Sequence, residues 1–523
     1  MEKSYISKIH CRNFKAFADR EIEDLGSGIN IFIGDNDTGK STVLLALDLV
    51  MRASVSRIQT LGLERLMHRD AISAFMKKEM RTFSDLPELE IDLYLSGVDK
   101  IEYYGEYNVK HAVGYGISLI CRPRPDYKEI INEIIKGDNA FPFEYYSIEF
   151  KTFSGSPYVP YKKLLQHIDI DNTKISSDTA SRGYIRDMYK ANAEDGEQSK
   201  HQIGYRQAKA KFTNVELAEL NKRLETEVAF ALRSDSKSNL ETDLTIKHND
   251  IDIDNIGMGM QCFIRTSFAL SKKTNIDVVL LEEPENHLSQ ANMKKLIDKI
   301  ASFTKSQIFV ATHSSYICSR LDLRKAIMFG LPSEQPLRLN NIPQDTAEYF
   351  MKAPQNSLLE FAISARTILV EGDAEYGLVP LLFGKVTGKT LEDCRVSVIA
   401  VGGIRFRRYL DVAKVLGHKV AVITDNDGAI GSPRLASYKS YEDVKKVQIF
   451  FDSDEARRTF EICVYQDNKA LCDHLFLGSR KTLSVQDYML AEKSEAAFRL
   501  AEQSPDQLAT PEYLKKAMTW ISA

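Results

Sequence analysis

Along the chain the spacing of apolar and polar positions changes several times, and each change predicts an element. Residues 5–9 and 28–33 read as two short strands around a turn, followed by a glycine-bearing loop and an apolar helix over 41–51. Residues 89–95 and 116–121 are apolar and alternating, which predicts further strands of a mixed sheet. Between 154 and 207 the chain turns polar, with Arg182, Arg186, Lys190, Lys200 and Arg206 among Asp, Asn and Ser, and a helical run over 215–232 follows. A helical insertion is expected there, and its composition fits a solvated hairpin, an oligomerisation element or a DNA-facing patch. Continuous apolar runs at 277–281 and 307–312 predict strands buried on both faces of a parallel sheet. Residues 331–353, rich in Pro, Asn and Gln, mark a linker or peripheral segment. Strands at 367–370, 396–401 and 419–424 then alternate with helices at 376–383 and 406–416, the βαβαβ order of a small parallel sheet.

Length and composition change this picture only slightly. A chain of 523 residues exceeds what one core usually serves, and 43% hydrophobic with 27% charged residues is the composition of a folded protein. A net charge of -4 excludes a uniformly basic coat, so nucleic acid would have to meet local basic patches or bound metal. Seven scattered cysteines without a Cys-x-x-Cys pair point to a reducing compartment without structural zinc. No window approaches the ~20 apolar residues of a bilayer span. No membrane association and a cytoplasmic location are therefore the expectation.

Chemistry enters at three strand ends of the first α/β unit. Gly34-Asp35-Asn36-Asp37-Thr38-Gly39-Lys40-Ser41-Thr42 fits the phosphate-loop pattern between a strand and a helix. There glycines let backbone amides curl around a phosphate, Lys40 reaches the β and γ oxygens, and Ser41 ligates Mg²⁺. The 277–281 strand runs into Glu282-Glu283-Pro284-Glu285. Beside a phosphate loop, Glu282 is placed to hold Mg²⁺ through water and Glu283 to act as general base toward the attacking water; alone, either would be a solvated strand end. His313 follows the 307–312 strand, where an imidazole reaches a γ-phosphate.

In this order the residues resemble the ABC ATPases of the SMC and RecF group, including an N-terminal stretch with Ile6, Ile9, Asn13, Phe14, Lys15 and Phe17. The resemblance implies a signature segment that completes the ATP site of a second head. Its counterpart is Gly257-Met258-Gly259-Met260-Gln261, with Gly257, Gly259 and Gln261 as the nucleotide-facing residues. Met258 stands where a hydroxyl residue is usual, and Glu282 where aspartate is more frequent.

Acidic residues also close the strands of the second unit. Glu371 follows the 367–370 strand, and Asp425 and Asp427 follow the 419–424 strand. If the chain stays extended, alternate residues share a face, so both aspartates would bind one metal and with Glu371 form an all-oxygen site for Mg²⁺ or Mn²⁺. Either half alone is an ordinary turn or strand exit. Together they resemble the Toprim domain of topoisomerases, primases and nucleases. Glu375 serves a second ion or acts as a base if it lies on the first helical turn. Glu461, and Lys493 as a cation for the scissile phosphate, are weaker candidates that are mostly surface residues in other settings.

An ABC head split by a helical insert and followed by a Toprim domain resembles the OLD (overcoming lysogenisation defect) family over essentially the whole chain. The expected fold class is α/β. Residues 1–153 and 241–350 form the ATPase, 154–240 the helical insertion through which copies assemble, and 351–523 the Toprim nuclease. The resemblance implies an ATP-binding, metal-dependent DNA endonuclease or nickase that works as a homo-oligomer, dimer or tetramer. Glu371, Glu375, Asp425, Asp427, Glu461 and Lys493 are carried over as its site. Family members that are antiphage effectors imply a partner: a retron's reverse transcriptase with its RNA–DNA product, or another defence-system protein. The competing reading is a RecF-like ATP-dependent DNA-binding scaffold without nuclease activity, whose surface should be basic, not lined by Glu371, Asp425 and Asp427.

Overall fold

In a computed structural model of the chain, the described residues are 3–137, 140–159, 164–224, 227–233, 239–271, 275–330, 335–352, 357–403, 405–442, 446–478, 482–503 and 506–523. They form two compact units, Met1–His313 and Ser314–Ala523.

The first unit holds two main sheets. One runs Phe17–Ile22, Tyr5–Phe14, Leu89–Ser96, Gly114–Pro123, with Tyr146–Thr152 and Tyr104–Gly105 also on the last strand. Every pair in it is antiparallel, not mixed as the apolar runs had suggested. A register shift between Ile6 and Lys8 explains why Ile6 and Ile9, three apart, are both buried. The expected pairing of the first two strands is also corrected. Asn13 (φ 52°) and Lys15 (φ 46°) turn the chain tightly, so Tyr5–Phe14 pairs with Phe17–Ile22 and Ile29–Ile33 leaves for the second sheet.

That second sheet has parallel neighbours in the order Ile29–Ile33, Gln307–Ala311, Val278–Glu282, His167–Asp171. Its inner strands are buried residue after residue, as their continuous apolar runs require. The register sets Glu282 opposite Ala311 and Asp171, and Ala311 opposite Phe32. The phosphate loop, the glutamates and His313 therefore leave one carboxyl edge together. Behind that edge, Asp48 and Arg52 of helix Lys40–Arg52 form a buried charge network with His167 (3.0 Å from Asp48) and Asp187 (2.9 Å from Arg52).

The insertion is helical, but the described residues of 215–232 do not form the one continuous helix expected there. Helices span Asp178–Asn192, Asp195–Val215 and Ala218–Lys222, and residues 227–233 carry none. The long helix is polar around much of its circumference, so apolar spacing could not locate it; the Glu194/Glu197 capping box sets its start. The expected 215–232 helix fails because Asn221 bonds both the N–H and the C=O of Phe230, at 2.8 and 2.9 Å, folding the chain back.

The second unit is built on parallel strands in the order Val396–Ala400, Arg366–Val370, Lys419–Ile423, Val447–Phe450. From Arg366–Val370 the chain goes first to one neighbour and then to the other, so a crevice opens at the carboxyl ends of Arg366–Val370 and Lys419–Ile423. Helices Asp373–Thr387 and Phe406–Leu416 cover the sheet. Its core includes Ile368, Val370, Leu382, Phe383, Ala421 and Ile423. All seven cysteines are free, and no helix of the described residues is long and apolar enough to cross a membrane.

Candidate functional site

Each unit carries one constellation at a carboxyl edge. In the first, Gly39 (φ 104°) caps helix Lys40–Arg52 in the left-handed region, and a Cβ there would meet the Phe17 ring at 2.4 Å. Glycine is required on both counts. Lys40 is buried and donates to the carbonyls of Gly34 (2.9 Å) and Asp35 (2.7 Å), so its ammonium closes the loop. Asn36 and Ser41 are exposed at the loop surface, while Thr42 turns into the core. The Ser41 hydroxyl hydrogen-bonds Glu282, whose carboxyl is nevertheless raised by burial and by Asp171. Hydroxyl and carboxylate thus stand together where the phosphate-loop reading puts Mg²⁺.

Glu283 has φ 46° and is 8% exposed. Burial, then Glu285, pushes its carboxyl up to about 8. His313 Nδ1 lies 2.9 Å from Glu283 Oε1, so the two residues expected at the γ-phosphate do meet. Glu285, overlooked in the sequence although it belongs to the same acidic run, is bonded by the Thr312 hydroxyl and by the His313 amide at 3.3 Å.

In the signature-like segment, Gly257 precedes helix Met258–Ala269 and faces open space. A Cβ on Gly259 would stand 2.2 Å from the His287 carbonyl oxygen, so the helix start packs backbone against backbone. Gly259→Ala should lower stability by ~1–3 kcal/mol, measured by denaturant unfolding, because neither partner is a flexible side chain. Gln261 is buried and donates to the Ile256 carbonyl (2.7 Å); its amide holds its own segment.

In the second unit, Glu371 leaves the Arg366–Val370 strand and its Oε1 accepts from the Thr424 hydroxyl (2.6 Å) and the Asp425 amide (3.0 Å). Glu375 lies on the first turn of helix Asp373–Thr387 and is 7% exposed. Asp425 Oδ1 accepts from the Phe460 amide at 2.8 Å. Glu461, on the first turn of helix Phe460–Asp467, is 4% exposed, and Lys493 Nζ sits 3.0 Å from its Oε1. Burial, then Glu371, Glu375 and Glu461, pushes Asp425 up to about 8. Burial, with Glu461 and Glu371, raises Glu375 to about 7. For Lys493, burial is outweighed by Glu461, Asp425 and Glu375, and its ammonium is raised.

Asp427 stands apart. Its side chain is 58% exposed and pairs with Arg434 at 2.8 Å. The strand has ended at Ile423 and Asp427 has φ 52°, so the alternation that would aim it beside Asp425 does not hold. Arg434 was missed in the sequence. It also donates to the Asp425 carbonyl (2.7 Å) and lies 3.9 Å from Glu371; only the Ser432-Pro433 helix start gave a local signal. Asn426, buried between the aspartates, bonds the Asp452 and Asp454 carbonyls and sets the loop.

The donor set suits a hard divalent cation. Glu371, Glu375, Asp425 and Glu461 are all oxygen donors, and Glu461 Oε2 is buried without a hydrogen-bond partner. A stability test follows from the raised carboxyls. The folded state retains protons on Asp425 and Glu375 that an unfolded chain releases near 3.8 and 4.5. Their stabilising contribution is complete below those values and lost as pH rises through about 7 to 8. The melting temperature in EDTA should therefore fall over that window, and Mn²⁺ should restore it; a flat profile would remove the cluster.

Two family models match the chain. "Overcoming lysogenization defect protein-like, TOPRIM domain" covers residues 363–427, and "AAA domain, putative AbiEii toxin, Type IV TA system" covers residues 29–319, more than half of the chain. The Old nuclease of Escherichia phage P2 is 25% identical over 170 residues, 30% of this chain and 28% of the relative, so the chain spans less than a third of that relative's length. Similar solved structures include an SMC head domain from Thermotoga maritima (13% identity, 63% of this chain and 97% of that one, TM-score 0.29). Another is the C-terminal region of the Burkholderia pseudomallei OLD protein (17% identity, 30% and 97%, TM-score 0.26). The chain belongs to the AAA-domain family matched over 29–319 and, with an OLD-like Toprim domain after that ATPase domain, is an OLD-family ATPase–Toprim protein.

Proposed function

We propose that the protein is an ATP-binding endonuclease or nickase that hydrolyses phosphodiester bonds in DNA with Mg²⁺ or Mn²⁺. The observation that carries this reading is the convergence of Glu371, Glu375, Asp425 and Glu461, with Lys493 beside them, at the carboxyl edge of a parallel sheet. In this reading Glu371, Asp425 and Glu461 hold the metal. Glu375 holds a second ion or accepts a proton, and Asp427 joins on release from Arg434. Divalent ions at such a site lower the pKa of water and neutralise charge developing on the phosphate. Lys493, half-exposed beside Glu461, offers its ammonium to the scissile phosphate. Cleavage of supercoiled plasmid with Mg²⁺ or Mn²⁺, with ATP, with ADP and without nucleotide, tests the reading and shows whether nucleotide licenses the cut.

For ATP, Lys40 and Ser41 bind phosphate and Mg²⁺ with Glu282, and His313 meets the γ-phosphate. Glu283, with a carboxyl near 8, is a competent proton acceptor. Gly257 and Gly259 complete the site of a second copy, which makes the working form a homodimer or tetramer; Gln261 supports that segment from within. Glu283→Gln should lower ATP turnover by ~10²–10⁴ while ATP binding persists, as read by phosphate release and nucleotide-dependent melting. Unchanged turnover would remove Glu283 as the base. The wider role we infer from the family resemblance is a cytoplasmic antiphage effector restrained by a partner protein, of which a retron's reverse transcriptase with its RNA–DNA product is one kind.

A further inference from the structure

The Glu283-Pro284-Glu285 turn sets two carboxylates against each other. The left-handed backbone at Glu283 (φ 46°) and the proline after it fix the turn, and the Thr312 hydroxyl and His313 amide hold Glu285 Oε1 in place. Oε2 of Glu283 and Oε2 of Glu285 are both buried without a hydrogen-bond partner, and Glu283 as a whole is 8% exposed. His313 closes the third side, its Nδ1 2.9 Å from Glu283 Oε1. One donor atom from each of Glu283, Glu285 and His313 lies within 4.8 Å of the others. Like-charged oxygens buried together need a proton or a cation between them. The donors here differ from those beside the phosphate loop, where Ser41 and Glu282 offer oxygen only. An imidazole with two carboxylates selects a borderline transition ion, and among abundant ions without redox chemistry that is Zn²⁺.

We propose that Glu283, Glu285 and His313 form a Zn²⁺ site, distinct from the Mg²⁺ position at Ser41 and Glu282, and that filling it switches off ATP hydrolysis. Zn²⁺ takes the Glu283 lone pairs that a general base needs and holds the His313 ring away from the nucleotide. Water completes its coordination. The switch rests on the roles proposed for Glu283 and His313, but the binding site does not.

Binding is measured on the full chain carrying Asp425→Asn, which weakens metal capture by the acidic cluster of the second unit. Zn²⁺ is titrated against a chromophoric chelator, and Co²⁺ is followed by its visible absorption, with and without Glu285→Gln. The expected result is a single Zn²⁺ per chain, weakened at least ~10-fold by Glu285→Gln together with loss of the Co²⁺ bands. Equal Zn²⁺ affinity with and without Glu285→Gln overturns the site. His313→Gln, expected to weaken Zn²⁺ similarly, decides if Glu285→Gln unfolds. The switch is read as ATP turnover in excess Mg²⁺ at buffered free Zn²⁺. The chain with Glu285 intact should lose at least ~10-fold on adding Zn²⁺, while Glu285→Gln, whatever its own rate without Zn²⁺, should turn over equally fast with and without it. Turnover insensitive to saturating Zn²⁺ overturns the switch. No turnover in any protein, even without Zn²⁺, overturns the ATPase reading and leaves the titration to decide the site.

Discussion

Asp425→Asn is expected to reduce DNA cleavage at least ~10³-fold and, in the same protein without metal, to raise the melting temperature by a few degrees. Both effects come from one carboxylate. Asparagine keeps the shape and an oxygen that can accept from the Phe460 amide, which Asp425 Oδ1 meets at 2.8 Å, so the loop between Ile423 and Gly428 should stay in place. The charge is lost, and with it a metal donor flanked by Glu371, Glu375 and Glu461. The stability effect has the opposite sign, because those neighbours and burial push Asp425 up to about 8. Above about pH 4 the unfolded wild type ionises freely, while the folded state resists ionising Asp425. The gain from asparagine should therefore vanish near pH 4 and be greatest near pH 8. Calorimetry in EDTA at those two values checks it; a variant less stable than wild type at pH 8 would mean that the cluster is not under electrostatic strain.

The second large effect belongs to Lys40. At an ATP concentration of 100 times the dissociation constant, binding stabilises the folded state by ~2.7 kcal/mol, and Lys40→Ala should remove nearly all of that shift. Lys40 also donates to the Gly34 and Asp35 carbonyls, so the variant loses some stability without nucleotide, on the order of 1–2 kcal/mol. The diagnostic quantity is the nucleotide-induced change in melting temperature. A shift equal to wild type in Lys40→Ala would move ATP away from this loop.

The parts of this molecule that were legible in its sequence share a physical cause. Strands buried on both faces leave uninterrupted apolar runs, so Val278–Glu282, Gln307–Ala311 and Lys419–Ile423 announced themselves, and so did Glu283, His313 and Asp425 after them. Phe17–Ile22 did not, because an edge strand reading FADREI carries charge on its open face. The antiparallel sheet was mistaken for a mixed one because alternation reports burial on one face and says nothing about the neighbour's direction. Asp427 was misjudged for a related reason: period-two reasoning holds only while the chain stays extended, and it stops at Ile423. Glu461 and Lys493 come from helices remote from the strand motifs, so no local pattern could join them to Glu371; family resemblance supplied them, and folding sets them 3.0 Å apart. Arg434 lay outside every motif, and only the loop geometry links it to Asp427 and Glu371.

The most direct test of the nuclease reading is the time course of supercoiled plasmid with wild type and Asp425→Asn side by side, in Mn²⁺ and in EDTA. On that reading, wild type converts the plasmid to open circles or linear DNA in Mn²⁺ and not in EDTA, and Asp425→Asn does so in neither. Equal cleavage by Asp425→Asn, or cleavage by wild type that persists in EDTA, would contradict it.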